Sequence, residues 1–300
     1  MIYQKILNFF RKLNKGQAAT VFLSTVVGVN MLIGSVLCGN IEDKLIYYPI
    51  KEHFANIRII SAKPVQDTYF FSRDGYRLNA WYVKAHKGKP TVVYCHGQGE
   101  NLSEWQNVAQ FLADMGYGVF MIDYRGHGKS EGHPTETGLY IDLQSSIKYL
   151  VNYENVDRND IILWGRSLGG AVVADVASRD NFRAVILEST FTNLRDEALH
   201  LTSTGILESK LGFWKSLSTR FVRCYPLTQK FSTDKKISKI KSPLLIGHSV
   251  NDVTVPVEMS YKLAKLNPHA ILYVSQNGSH HESEWVFPEV KEFLESVENN

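Results

Sequence analysis

Cysteine, net charge and low-complexity sequence are what this chain has least of. Only three of its 300 residues are cysteine, Cys38, Cys95 and Cys224, too few and too scattered for a disulfide framework or a zinc knuckle. The formal charge is +3, from 33 Lys and Arg against 30 Asp and Glu. Lys5, Arg11, Lys12 and Lys15 fall in residues 1–17 without an acid, so the remainder is close to neutral and carries no basic surplus for nucleic acid. No repeat or biased tract interrupts the chain. With 44% hydrophobic and 12% aromatic side chains it has the composition of a globular protein with a substantial core, which excludes a disordered or fibrous chain.

Charge is absent altogether from Ala18 to Cys38. As a helix those residues would be about 31 Å long, close to the hydrocarbon thickness of a bilayer. A basic arm, 1–17, precedes the run and Gly39-Asn40 ends it, so residues 18–38 are expected to be a transmembrane anchor. The rival readings are a buried core helix, a cleaved signal peptide, or a lipoprotein acylated at Cys38. The run is longer than an ordinary signal-peptide core, and bulky Leu37 occupies the place of a small residue. The positive-inside rule puts the basic arm on the cytoplasmic side and the body on the other.

Beyond a linker, 39–64, apolar strands alternate with helical stretches. Val65 to Ser72 and Tyr76 to Val83 are joined by Arg73-Asp74-Gly75, a hairpin signal. Strands are predicted at Thr91 to Cys95, Tyr117 to Asp123, Asp160 to Trp164, Ala184 to Leu187, Pro243 to Gly247 and Ala270 to Val274. Helices are predicted at Ser103 to Met115, Glu136 to Val151, Leu168 to Ser178, Val257 to Leu266 and Glu284 to Val297. This alternation implies an α/β domain over 65–298, with a parallel sheet covered on both faces. Residues 191–232 contain helical patterning but no strand, and are expected to form a cap over one end of the sheet. Leu207, Leu211, Phe213, Trp214 and Leu217 within it either receive an apolar ligand or pack on the sheet.

Gly165-Arg166-Ser167-Leu168-Gly169 follows a strand and opens a helix, the context of a sharp turn that exposes a serine hydroxyl. The pattern arises by chance about 0.1 times in a chain of this length, yet a second copy exists, Gly128-Lys129-Ser130-Glu131-Gly132. It runs into His133-Pro134, which belongs to a loop, so Ser167 is the candidate nucleophile. A serine needs a base and an orienting acid. Asp252 follows the strand ending at Gly247, and His280-His281 follows the strand ending at Val274. His280 is preferred because Gly278 supplies a tight turn, and Glu188 is the reserve acid. An oxyanion needs two backbone donors, for which the amides of Leu168 and of Gln98, in the loop His96-Gly97-Gln98-Gly99, are the candidates. Two phosphate-loop readings fail: Asp123 stands where a Walker loop requires glycine, and Leu102 where a dinucleotide fingerprint requires its third. His280-His281-Glu282 is a poor metal site, since adjacent loop side chains rarely converge on one ion. No metal or cofactor is expected.

Together these motifs resemble the α/β-hydrolase superfamily. Asp123-Tyr124-Arg125-Gly126-His127-Gly128-Lys129-Ser130-Glu131-Gly132 is similar to the segment after its fourth strand. Gly165 to Gly170 resembles its nucleophile elbow, and Asn277-Gly278-Ser279-His280 its histidine loop. Leu45-Ile46-Tyr47-Tyr48-Pro49, just after the span, is similar to the membrane-anchored branch typified by α/β-hydrolase domain-containing protein thirteen. Over residues 45–295 the resemblance implies a mainly parallel eight-stranded sheet and a triad of Ser167, Asp252 and His280. Two positions depart from the pattern: Ser249 replaces a common glycine and His281 a common asparagine. The implied function is a membrane-anchored serine hydrolase of carboxylic esters or thioesters, with a small-molecule or lipid-like acyl substrate. An amidase or peptidase would use the same groups, and a non-catalytic binding protein on the same fold is the other class.

The anchor is checked by alkaline carbonate washing. The full chain should stay in the membrane pellet and a chain starting at Gly39 should not; release of the full chain would contradict the span.

Overall fold

The computed structural model describes residues 42–43, 46–204 and 227–298. The expected anchor, 18–38, and residues 205–226 of the expected cap lie outside the described residues. Among the described residues no helix is long and apolar enough to cross a membrane.

The sheet begins with antiparallel strands and becomes parallel. Two-residue strands β1 (Ile59–Ile60) and β2 (Lys63–Pro64) pair with each other, an element too short to show in the sequence pattern. β3 (Gln66–Phe71) and β4 (Arg77–Val83) form the expected hairpin, with Gly75 at φ 93° in its turn. Then come β5 (Thr91–Cys95), helix α1 (Gln106–Asp114), β6 (Gly118–Ile122), α2 (Glu136–Tyr153), β7 (Ile161–Arg166), α3 (Leu168–Ala177), β8 (Ala184–Glu188) and α4 (Leu194–Ser203). β9 (Leu244–Ser249), α5 (Glu258–Leu266), β10 (Ile271–Ser275) and α6 (Phe287–Glu298) complete the described fold. The eight-stranded order is β10-β9-β8-β7-β5-β6-β4-β3. From β6 to β10 all neighbours are parallel.

Strands β5 to β9 are buried along their whole length, which is why they read as unbroken apolar runs rather than alternating ones. On one face Tyr94, Trp164, Ile186 and Leu245 pack with Val108 and Leu112 of α1 and Val290 and Leu294 of α6. On the other face Tyr149 of α2 meets Phe70 and Phe120 at centroid distances of 5.4 and 5.9 Å. The edge strands β3 and β10 are only partly buried.

From Tyr47 the segment expected as a linker is a strap bonded to the loops at the carboxyl end of β5 and β6. Gly99 N–H donates to Tyr47 O (3.1 Å) and Gly128 N–H to Ile50 O (2.8 Å). Asn101 Nδ2 donates to Glu52 O (2.8 Å), Phe54 N–H to Ser103 Oγ (2.9 Å), and His53 Nε2 lies 2.7 Å from Asp123 Oδ2.

The loop after β6 is fixed by a buried ion pair. Arg125 Nη2 is 2.7 Å from Asp142 Oδ1 in α2, and Nη1 is 2.7 Å from Asp74 Oδ2 in the hairpin turn. Burial pushes Asp142 up to about 6 even though Arg125 pulls it down. Replacing Arg125 with Met leaves that carboxylate buried without its cation, and should destabilise the protein by about 3 to 5 kcal/mol. The loss should shrink from pH 8 to pH 5, where Asp142 takes up a proton. Urea midpoints at both pH values check this, and equal losses would contradict it.

Candidate active site

β7 delivers the chain into a sharp reversal at Ser167, which has φ 51° and ψ −118°, a conformation that L residues rarely adopt. Hydrogen bonds pin it: Ser167 N–H donates to Glu188 O (2.8 Å) and Thr190 Oγ1 donates to Ser167 O (2.7 Å). The glycines are required by space. A Cβ on Gly165 would fall 2.3 Å from Gly169 O, and one on Gly169 would fall 2.1 Å from Cys95 O. Those neighbours are backbone atoms that cannot swing aside, so only glycine lets α3 cross so close to β5 and β7.

β9 ends in the loop that carries Asp252. Its Oδ1 accepts from Thr254 N–H (2.9 Å) and Val255 N–H (2.8 Å). Its Oδ2 lies 2.7 Å from His280 Nδ1 and 3.3 Å from His248 Nε2. Burial pushes the Asp252 carboxyl up, but the bonds from His248 and His280 outweigh it and hold it well below the ordinary carboxylate range. His280 is positioned by Gly278 at φ 85°, where a Cβ would lie 2.2 Å from the Trp285 ring. Its neighbour His281 is exposed and meets the His280 ring face to edge, at 5.4 Å. The structure thus brings His280, not His281, to Asp252.

Ser167, Asp252 and His280 all lie on the turns and loops that follow parallel strands of one sheet, β7, β9 and β10, at the end where ligands of open α/β sheets bind. Among the described residues no hydrogen bond joins Ser167 Oγ to His280. Such bonds commonly tighten only when substrate arrives. Leu168 opens α3, so its N–H has no intrahelical carbonyl to meet. Gln98 sits half-buried in the loop after β5.

Glu188, the reserve acid, touches neither Asp252 nor His280. Its carboxylate accepts from Trp164 Nε1 (2.8 Å) and from Ser283 Oγ, and lies 3.6 Å from Arg166 Nε. Burial pushes it up to about 7 against the pull of Arg166. Ser130, the second motif serine, is occupied: its hydroxyl donates to Asp123 O (2.7 Å) and accepts from Asn79 N–H (2.8 Å). His96 donates from Nδ1 to Gly97 O (2.9 Å), bracing the loop. Among the described residues no group of three His, Cys, Asp or Glu side chains is arranged to hold a metal ion.

Sequence reasoning missed three residues. His248 is buried between Val255 O (2.9 Å) and Ser260 Oγ (2.6 Å). A carbonyl only accepts, so Nε2 carries the proton and turns it toward both Val255 O and Asp252, while the Ser260 hydroxyl donates to Nδ1. The four-residue spacing His248 to Asp252 was the available signal. Glu100 accepts from Gly97 N–H (2.7 Å) and Arg166 Nη1 (2.5 Å). Nothing in its local sequence announces this. Glu197 in α4 is buried with an unpartnered Oε2; burial, reinforced by the charge of Asp252, pushes it up to about 8.

Comparison with known proteins follows the same lines. A family model described as serine aminopeptidase, S33, matches residues 86–235. The α/β-hydrolase domain-containing protein WAV2 of Arabidopsis thaliana is 29% identical over 269 residues, covering 85% of this chain and 84% of its own. The lysophosphatidylserine lipase ABHD12 of Danio rerio is 29% identical over 218 residues, 66% of this chain but only 55% of its own length. An esterase of Pyrococcus furiosus superposes with a TM-score of 0.66 at 24% identity, over 83% of this chain and 98% of its own, and shares the fold.

Burial lowers the pKa of His280 from its ordinary 6.5, although Asp252 pulls it up. Its imidazole should therefore stay neutral below pH 6.5. The Cε1–H resonance, followed by NMR, should titrate with a midpoint under 6.5, and lower still in Asp252→Asn, which removes the group that raises it. A midpoint at or above 6.5 in the native protein would contradict the burial argument.

Proposed function

This chain belongs to the α/β-hydrolase superfamily, in the family described as serine aminopeptidase S33, and on that premise we propose that it is a serine hydrolase that cleaves carboxylic esters or thioesters through an acyl-enzyme. The observation that carries the reading is the 2.7 Å contact between Asp252 Oδ2 and His280 Nδ1, made on loops that leave the same end of the parallel sheet as the strained turn of Ser167. His280 Nε2 takes the hydroxyl proton of Ser167 as the oxygen attacks the acyl carbon. Asp252 holds the ring in the tautomer that leaves Nε2 free to accept, and stabilises the imidazolium that forms. The amides of Leu168 and Gln98 receive the oxyanion, each donor contributing about 3 to 4 kcal/mol. The alkoxide or thiolate leaves with the proton from His280. Water, deprotonated by the same ring, then releases the acid and restores Ser167.

Ester or thioester substrates are favoured by the lipase among the relatives. An amidase or peptidase is the second reading, favoured by the description of the family model. The finer assignment places the chain in the membrane-anchored branch, held by residues 18–38 with its catalytic domain, 65–298, on the non-cytoplasmic side. There it meets small or lipid-like acyl substrates, with residues 191–232 as the cap.

A fluorophosphonate probe should label the native protein and Ser130→Ala but not Ser167→Ala. Folded native protein without label would overturn the enzyme reading in favour of a binding protein. In a panel of p-nitrophenyl esters and aminoacyl anilides, turnover should be confined to the esters, and faster anilide cleavage would favour the peptidase.

A further inference from the structure

Arg166 is a fully buried cation immediately ahead of Ser167, and the anion opposite it comes from a different part of the chain. Glu100 closes the loop after β5. Its Oε1 accepts from Arg166 Nη1 at 2.5 Å, and its Oε2 accepts from Gly97 N–H at 2.7 Å and from Trp105 Nε1 at 3.0 Å. The guanidinium also lies 4.3 Å from the Trp105 ring centroid, a stacking contact for which arginine is suited. The loop backbone rests directly on this pair: a Cβ at Gly97 would be 2.9 Å from Glu100 Oε2 and 3.3 Å from Arg166 Nη1. Past Glu100 the chain is closed independently, because Asn101 and Glu104 cap the short helix Leu102–Glu104 reciprocally. The side chain of Glu100 thus ties Gly97 to the turn that presents Ser167.

We propose that Glu100 is a positioning residue for the oxyanion loop, clamping the Gly97 amide to Arg166 so that the loop carrying Gln98 and the turn carrying Ser167 and Leu168 keep one fixed spacing. This rests on the serine-hydrolase reading. Oxyanion stabilisation depends on donors held in place before the charge develops, and errors of about 1 Å in such a site are costly. Arg166 does not depend on Glu100 for its charge balance alone, since Glu188 Oε1 lies 3.6 Å from its Nε on the other side. Weakening Glu100 therefore releases the loop while the carboxyl group of Glu188 remains beside Arg166.

Glu100→Gln keeps the shape, but its single oxygen cannot accept from Gly97, Trp105 and Arg166 together. Glu100→Asp keeps the charge and shortens the reach. With p-nitrophenyl butyrate, each variant of the full chain should lose kcat by about tenfold to a hundredfold with KM within about twofold, as expected for a loss of transition-state stabilisation alone. The inhibition constant of a trifluoromethyl ketone, which forms a tetrahedral adduct on a serine hydroxyl, should rise by the same factor as kcat falls. An ion pair with only a structural role would instead lower the unfolding midpoint and leave adduct affinity unchanged. Unaltered kcat in both variants, or a fall in kcat without weaker ketone binding, overturns the clamp. Fluorophosphonate labelling of the native protein, run alongside, separates this failure from the other: labelled native protein with unaffected variants sinks only the role of Glu100, whereas folded native protein without label sinks the hydrolase reading itself.

Discussion

The active end of this protein depends on one strained residue. A serine held at φ 51° and ψ −118° costs about 1 to 3 kcal/mol relative to relaxed backbone, so it persists only where its surroundings allow nothing else. Here β7 cannot move because it is paired on both sides in the middle of the sheet, and α3 cannot move because its first turn lies against the carbonyls of Cys95 and His96. The strain is the cost of lifting one hydroxyl clear of the sheet edge. The same geometry leaves the first N–H of α3 without an intrahelical carbonyl to meet.

Around that turn the site holds ionisable groups that are shielded from solvent. Arg166, Glu188 and Asp252 are all buried, and an ion taken out of water is tolerated only when partners replace its hydration. Each has such partners. Asp252 receives two backbone N–H groups and two imidazoles. Arg166 lies between Glu100 and Glu188 and against an indole. The opposed shifts of two carboxyls, Asp252 held down and Glu188 pushed up to about 7, follow from that difference in partners. Asp252 has four donors, whereas Glu188 has two neutral donors and one distant cation. That separation is how two acids of similar intrinsic strength come to titrate in different pH ranges while bonded to Ser283 and His280 of one loop.

The strands and helices were legible because their signals are local. Unbroken apolar runs such as Ile161 to Trp164 mark strands covered on both faces, and Arg73-Asp74-Gly75 marks a hairpin by the conformations it permits. Residues at the ends of strands could be picked out as site candidates, since loop length and chain order limit which of them meet. Glu100 and His248 were not legible in this way. The role of Glu100 depends on a side chain 66 residues away and leaves no pattern along the chain; that of His248 depends on the tautomer of a buried ring, for which its spacing from Asp252 is only a weak signal. Ser130 shows the converse: its motif is present, but its hydroxyl is spent on the backbone of Asp123 and Asn79.

The strap of Tyr47 to Phe54 bears on where the catalytic unit begins. Counting strands and helices would put that boundary at β1, since among the described residues nothing before it joins either sheet. Yet Tyr47 O secures Gly99, Glu52 O secures the buried Asn101 amide, and His53 meets the buried carboxylate of Asp123. A fragment trimmed to residue 55 would retain every described sheet-forming strand and still strip partners from the loop that Glu100 ties to Arg166, next to Ser167. The minimal enzyme is therefore longer than its sheet, and shortening it from the front would be felt first at the catalytic edge rather than in the core.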